Sequence, residues 1–346
     1  MAQINKPNLH FNTNLYTGNG STQHSITGVG FQPDFVWIKS RDDAYSHFWF
    51  DAVRGVGKQI YSNSANAQGT NLNNLYSFDS DGFSLAQSGN DDVTNKNNSN
   101  FVSWNWKANG AGSSNSDGRL SSTVSVNTTA GFSIVKYTGN GSSGATVGHG
   151  LGAKPHVIIL KSYENGQQWA AYWEALGATK YMRFNTTNAV ATSAARWNDT
   201  EPTTSVFTIG NDGEVNTNTE DHIAYCFSEK KGFSKFGKYD ATGTSSDGPF
   251  IYTGFPPAFV MIKRYNSTEN WYIFDDTRDT ANPIEAVSYP NLSNADGSLN
   301  GGIDLLSNGF KIRNSNSAVG AGDNYIFMAF AAQPLVGTNN IPAVAR

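Results

Sequence analysis

Three short apolar runs, each led by a proline and closed by a lysine, organise this chain. Phe35-Val36-Trp37-Ile38-Lys39 follows Gly30-Phe31-Gln32-Pro33-Asp34, and Val157-Ile158-Ile159-Leu160-Lys161 follows Gly152-Ala153-Lys154-Pro155-His156. Phe259-Val260-Met261-Ile262-Lys263 follows Gly254-Phe255-Pro256-Pro257-Ala258. Such runs are too short for a helix and suit a strand covered on both faces. The proline stands where a missing N–H removes no ladder bond. Alternation places each lysine on the face of Trp37, Ile159 or Met261, so its stem is expected to follow that face and its amine to reach water.

Further landmarks keep the same register. Tyr16-Thr17-Gly18-Asn19-Gly20 matches Tyr137-Thr138-Gly139-Asn140-Gly141 and, more loosely, Tyr239-Asp240-Ala241-Thr242-Gly243. Phe101-Val102-Ser103-Trp104-Asn105-Trp106 matches His222-Ile223-Ala224-Tyr225-Cys226-Phe227 and Tyr325-Ile326-Phe327-Met328-Ala329-Phe330. Asp81-Gly82 and Asn308-Gly309 are hairpin signals, because such pairs supply the positive φ of tight turns. With no capped 3.6-residue stripe anywhere, the fold class is all-β: three tandem β-sandwich, jelly-roll-like repeats of about 100 residues. The expected boundaries are an N-terminal arm over 1–12, repeats over 13–108, 131–231 and 232–336, and a C-terminal tail over 337–346. Between the first two repeats, 109–130 reads as a flexible Gly/Ser linker. The short join at Lys230-Lys231-Gly232 makes the second and third repeats one rigid block.

Composition narrows the class. Charged residues are 15% of the 346, against the usual quarter or so, and aromatics are 13%. The formal charge of −4 offers no basic stripe, which argues against nucleic acid as a partner. One cysteine, Cys226, leaves no internal disulfide framework and no CxxC site, and within an apolar strand it reads as a buried, inert thiol. Met1–Pro7 has no apolar h-region and no run spans a bilayer, so neither a signal peptide nor membrane insertion is expected.

What recurs three times is apolar pattern and turn chemistry, which points to a repeated surface and away from a single active site. Asp51-x-x-Arg54 and Asp275-x-x-Arg278 each begin twelve residues after the repeat lysine, and the second repeat has Glu174 and Gly177 instead. A guanidinium can grip a polar ligand bidentately, but a structural ion pair closing a turn is the expected role. Asp79-Ser80-Asp81-Gly82 opens like a calcium loop yet lacks its bidentate Glu, with Asp91 the nearest acid, and reads as a turn. Arg54-Gly55-Val56-Gly57-Lys58 has the wrong glycine spacing for a phosphate loop. His10, His24, His47, His149, His156 and His222 form no zinc-type pair, and nothing selects any two of the 28 acids for glycoside cleavage. No catalytic residue, metal site or cofactor is therefore expected, and no binding residue is assigned. Trp49, Trp169 and Trp271 fall at matching places and read as core; Trp197, Tyr45 and Tyr265 lie in polar surroundings and are the aromatics expected to be exposed.

Tyr16-Thr17-Gly18-Asn19-Gly20, the strand from Gly30 to Lys39, Phe78-Asp79-Ser80-Asp81-Gly82-Phe83 and Ser307-Asn308-Gly309-Phe310-Lys311-Ile312 resemble a repeat domain of unknown function. That domain occurs in virion and tail-fibre-associated proteins of tailed phages, notably marine phages such as cyanophages. The resemblance runs from about residue 9 to 335. It implies a non-enzymatic virion protein made in the host cytoplasm, located on the tail in preference to the head, that contacts the host surface or holds a fibre. The implied partners are other tail or fibre components, a host-surface glycan and further copies of the chain, a trimer among the options. Two alternatives stand beside it: a capsid-decoration or head-fibre protein, and a glycan-binding module or glycan-active enzyme. The strand reading also predicts that Ile159→Asp unfolds the second repeat, while Asp275→Asn costs little.

Overall fold

Each proline-led run becomes a strand inside a larger antiparallel sheet in the computed structural model, which describes residues 3–86, 93–245 and 248–333. The chain is nearly all β, with 42% strand and 4% helix in several antiparallel sheets. In the first third, β1 (Phe11–Thr17), β2 (His24–Thr27), β3 (Phe35–Ser40), β4 (Phe48–Asp51), β5 (Lys58–Tyr61), β6 (Gly69–Thr70), β7 (Ser77–Asp79), β8 (Gly82–Leu85) and β9 (Asn100–Trp106) follow in order. They make a sheet ordered β1-β9-β3-β4-β5-β6 and a smaller one ordered β2-β8-β7.

The middle third holds β10 (Ser113–Asn115), β11 (Ser122–Asn127), β12 (Phe132–Thr138), β13 (Ala145–Gly148), β14 (Val157–Ser162), β15 (Ala170–Trp173), β16 (Lys180–Arg183), β17 (Ala191–Thr192), β18 (Val206–Ile209) and β19 (Asp221–Phe227). Its large sheet runs β10-β11-β12-β19-β14-β15-β16-β17 and its small one β13-β18. The last third holds β20 (Ser234–Asp240), β21 (Phe250–Tyr252), β22 (Phe259–Arg264), β23 (Trp271–Asp275), β24 (Ile284–Val287), β25 (Gly297–Leu306), β26 (Gly309–Ile312) and β27 (Asn324–Phe330). Its sheets run β20-β27-β22-β23 and β21-β26-β25-β24. One four-strand order therefore occurs three times: β1-β9-β3-β4, β12-β19-β14-β15 and β20-β27-β22-β23.

Alternation along β3 shows why these runs are apolar throughout. Val36 and Ile38 face a cluster shared with Ile26, Phe83 and Leu85 of the small sheet. Phe35 and Trp37 face the opposite way, into a central cluster built from all three thirds. Trp106, Phe227 and Phe330, which close β9, β19 and β27, meet there, with ring centroids 6.4, 5.8 and 5.5 Å apart. Each buried aromatic contributes roughly 2–3 kcal/mol of transfer free energy, plus ring contacts, so this cluster holds the chain together as one body.

A repeated backbone bond closes the circle. Gln68 N–H donates to Tyr163 C=O at 2.7 Å, Val190 N–H to Tyr265 C=O at 2.6 Å, and Asp296 N–H to Arg41 C=O at 2.9 Å. First third thus binds second, second binds third, and third returns to first. The acceptors each lie two residues after a repeat lysine, so the three bonds are equivalent.

The glycine of each proline-led motif has a backbone reason to be there: Gly30, Gly152 and Gly254 adopt φ of 86°, 65° and 82°. Gly309 differs from the hairpin expectation, because it is not among the positive-φ glycines. A Cβ at Gly309 would stand 2.2 Å from the Ile251 carbonyl oxygen, so close approach is what requires it.

Several expectations are corrected. The 109–130 stretch is no flexible linker over its length: β10 and β11 extend the second large sheet, and Ala108 and Gly110 N–H donate to the buried Asp34 carboxylate at 2.7 and 2.9 Å. Its Ser and Asn side chains serve as turn partners, as when Asn109 N–H donates to Ser125 Oγ. The rigid block includes the first third as well as the other two. The arm expected over 1–12 is docked: Ile4 N–H donates to Lys231 C=O and Phe11 is fully buried, stacked on Phe330. The tail expected over 337–346, and Asp91, lie outside the described residues.

Candidate functional site

The greatest concentration of buried charge lies at the three seams of the circle. At the first seam, β4 ends in Asp51, whose Oδ2 accepts from Arg54 Nε at 2.6 Å and from Tyr225 OH of the second third at 2.7 Å. Arg54 also donates to Gln68 Oε1 and Trp49 C=O. The Asp51 and Arg54 side chains are 0% and 1% exposed. At the closing seam, β23 ends in Asp275, whose Oδ2 accepts from Arg278 Nε at 2.5 Å and from Trp104 Nε1 of the first third at 3.1 Å. Arg278 lies 5.3 Å over the Trp104 ring and donates to Asp296 Oδ1 at 2.8 Å; Asp296 Oδ2 accepts from Arg41 Nε. Both pairs close their turn as expected, with Oδ1 accepting backbone N–H groups two and three residues on. They are not surface pairs, and the deep burial ties them to the seam.

The remaining seam solves the same position without charge. Strand register sets Asp51 opposite Phe35, Asp275 opposite Phe259, and Trp173 opposite Val157. The second repeat's equivalents of Asp and Arg are therefore Trp173 and Leu176, one residue before the Glu174 and Gly177 read from the sequence. Trp173 Nε1 donates to Phe327 C=O at 3.4 Å and its ring lies 5.6 Å from Trp271. The facing strand varies in concert: where Tyr225 and Trp104 offer donors to a carboxylate, the third repeat has Met328.

The repeat lysines sit at the same seams. Lys39, Lys161 and Lys263 are all 0% exposed, so their amines do not reach water. Lys161 Nζ donates to Ala65 C=O of the first third at 3.1 Å, and Lys263 Nζ to Thr187 C=O of the second at 3.1 Å. Lys39 Nζ donates to Ser40 and Asp43 carbonyls, with Asp296 of the last third nearby. Burial pulls these amines down to about 8, 7 and 7 for Lys39, Lys161 and Lys263. Lys161 and Lys263 each pin a loop of the preceding repeat, whereas Lys39 caps carbonyls of its own loop.

The remaining candidates fall into place locally. Asp81 accepts from Gly28 and Gly30 N–H, and Asp79 from Ser77 and Ser84 hydroxyls, so the calcium-like loop is a turn. Among the described residues no group of three His, Cys, Asp or Glu side chains is placed to hold a metal, and no helix is long and apolar enough to cross a membrane. Cys226 is buried, and burial pushes its thiol well up. A cleft of about 420 Å³ between the second and third thirds is lined by His156, Trp173, Glu174, Glu229 and Lys235. There Lys154 and His156 approach Glu174, and Lys235 pairs with Glu229, leaving partly exposed ion pairs.

The aromatics divide differently from expectation. Trp169 and Trp271 share a register position, but there the first repeat has His47; Trp49 sits two residues further on, opposite Trp37. Trp197 is 1% exposed and meets Tyr172 edge to face, and Tyr45 and Tyr265 pack against the clusters. Among the described residues the exposed aromatics are Phe250 and Tyr252, at 45% and 64%. Reading the three copies against one another would have found them, since ladder partners align them with Ser25 and Thr27 in one repeat and Thr146 and Gly148 in another.

A model of one family matches residues 6–334, described as a domain of unknown function, DUF7483. The chain belongs to the DUF7483 family. No curated protein and no solved structure shows significant similarity to it. The match embraces all three thirds of the DUF7483 chain, so the seams between them fall within one family domain.

Acid is expected to weaken this DUF7483 protein before its carboxylates titrate. Burial lowers His149 and His222 from 6.5 to about 4 and drives His47 well below its ordinary value. Between pH 6.5 and 4 the unfolded chain takes up protons that the folded chain refuses, so stability falls as pH falls through that window. We expect a loss of about 1–3 kcal/mol per histidine, read from urea midpoints at pH 7 and pH 4.5. An unchanged midpoint would mean that these imidazoles are not buried neutral.

Proposed function

We propose that this protein is a non-enzymatic structural part of a tailed-phage virion, associated with the tail or tail fibre. In this reading each repeat is a small jelly-roll-like β-sandwich of about 100 residues, its large and small sheets packed face to face. The three close around a pseudo-threefold axis into one ring within a single chain, the last joined to the first by non-covalent contacts. The observation that supports it best is where the polar groups go: Asp51, Arg54, Tyr225, Asp275, Arg278, Lys161 and Lys263 are spent on joining repeats. That is the chemistry of a rigid scaffold. A pseudo-trimer in a single chain suits a threefold fibre or its collar, and its Asn/Ser/Thr-rich loops suit weak, multivalent contact with a host-surface glycan or neighbouring virion proteins.

Immunogold microscopy on intact virions of the phage that encodes this chain tests the reading. Label on the tail is the expected result. Label confined to the head would replace it with the capsid-decoration reading, and label on no particle would overturn the virion assignment.

A further inference from the structure

The three repeats treat one groove in three ways, and the third leaves it open. The groove runs between the outer edge of the first strand of each large sheet and the neighbouring strand of the small sheet. In the first repeat, Asn12 and Asn14 of β1 bridge it, donating to Val29 and Thr27 carbonyls at 3.1 and 2.8 Å. In the second repeat an extended segment fills it. β11 pairs along β12, Leu120 bridges to Val147 of β13, and Ser122 Oγ donates to Gly148 C=O.

Among the described residues the third repeat has neither device. β20 lies at the edge of its sheet, and the places of Asn12 and Asn14 are taken by Lys235 and Gly237. Gly237 carries no side chain, and the buried Phe327 ring packs directly against it: a Cβ there would stand 3.0 Å from the ring. Phe250 and Tyr252 rise on the far bank, where the other repeats carry small or polar residues. The result is a cavity of about 350 Å³ lined by Lys235, Gly237, Tyr239, Phe250, Tyr252 and Phe327. An open strand edge beside exposed aromatics is a liability unless something covers it.

We propose that this groove binds an extended peptide segment of another protein chain, which adds to β20 as an antiparallel strand. The occupant is argued from the second repeat, where the equivalent groove already holds such a strand. Its register defines the peptide. In β11, Val124 pairs with Val135 and Val126 with Ser133, and these partners correspond to Gly237 and Lys235. The incoming strand therefore carries an apolar residue opposite Gly237, as β11 carries Val124, and sets it against the exposed Phe250 and Tyr252. Two positions later it carries an acidic residue facing Lys235, drawing that amine from its partly exposed pair with Glu229. Backbone bonds to β20 supply affinity, and the two side chains supply selection. This inference does not depend on the virion reading.

The test uses the full chain and a fluorescein-labelled peptide of sequence Ser-Thr-Thr-Phe-Ser-Asp-Asn-Thr, followed by anisotropy and by amide hydrogen exchange. Saturable binding is expected, with slower exchange over 234–240. Phe250→Ser with Tyr252→Thr, which installs the first repeat's residues, should weaken binding by about tenfold or more and leave the melting temperature unchanged. Exchanging the peptide's Phe and Asp should weaken it similarly. Absence of binding, or binding indifferent to both changes, would overturn the proposal. So would a glycan array on which the same double variant abolishes the signal while the peptide stays unbound, since the aromatics would then serve a sugar. A concentration-dependent dimer lost in the double variant, again with no peptide bound, would overturn it in favour of a second copy.

Discussion

Arg278→Leu is expected to destabilise the folded protein by about 3–5 kcal/mol, because it leaves the Asp275 carboxylate buried without its cation. Asp275 and Arg278 are both 0% exposed, so no solvent screens the loss. Asp275→Asn is then no silent change, as the sequence suggested, but a substitution that strips Arg278 of its closest anion. Combining Asp275→Asn with Arg278→Leu should cost less than Arg278→Leu alone, because no unpaired charge remains and Asp296 keeps its bond to Arg41. The chain contains its own precedent: Trp173 and Leu176 occupy these positions at the second seam. Urea denaturation of the wild type, both single variants and the double variant closes the cycle. A double variant as unstable as the sum of the singles would show that the charges act independently of each other.

Ile159→Asp should be more damaging still, by about 5 kcal/mol or more, since it places an unpaired carboxylate in the central cluster. Ile159 is 2% exposed and packs with residues of all three repeats. The seams change the expected form of the transition. Unfolding confined to the second repeat would expose Phe227, Tyr225 and Trp173 from a core the other repeats share, so the whole chain should lose structure in one step. Calorimetry is the check: one endotherm at lower temperature is expected, and a surviving second endotherm would mean that the repeats fold independently.

The β class and the three proline-led strands could be read from the chain because continuous apolar runs report burial on both faces. What lay across those faces could not. Asp51 and Tyr225 are far apart in sequence and meet only once the circle closes, and no local periodicity encodes that. The lysine amines were misjudged for the same reason, since their carbonyl partners Ala65 and Thr187 belong to loops of neighbouring repeats. The 109–130 stretch misled through composition: Gly, Ser and Asn mark flexible chain and tight, side-chain-bonded turns equally. Phe250 and Tyr252 lie in a strand, where no polar surroundings mark an aromatic as exposed.

A homotrimer writes every amino-acid change three times, and a change that suits one contact is imposed on all. Here Trp173 and Leu176 stand at one seam while Asp–Arg pairs stand at the other two, and exposed aromatics line a single groove of three. Joining the copies in one polypeptide keeps the mechanical benefit of threefold closure while making each copy separately heritable. Each seam and each groove can then drift, specialise or be repaired on its own, without the other two having to tolerate the experiment.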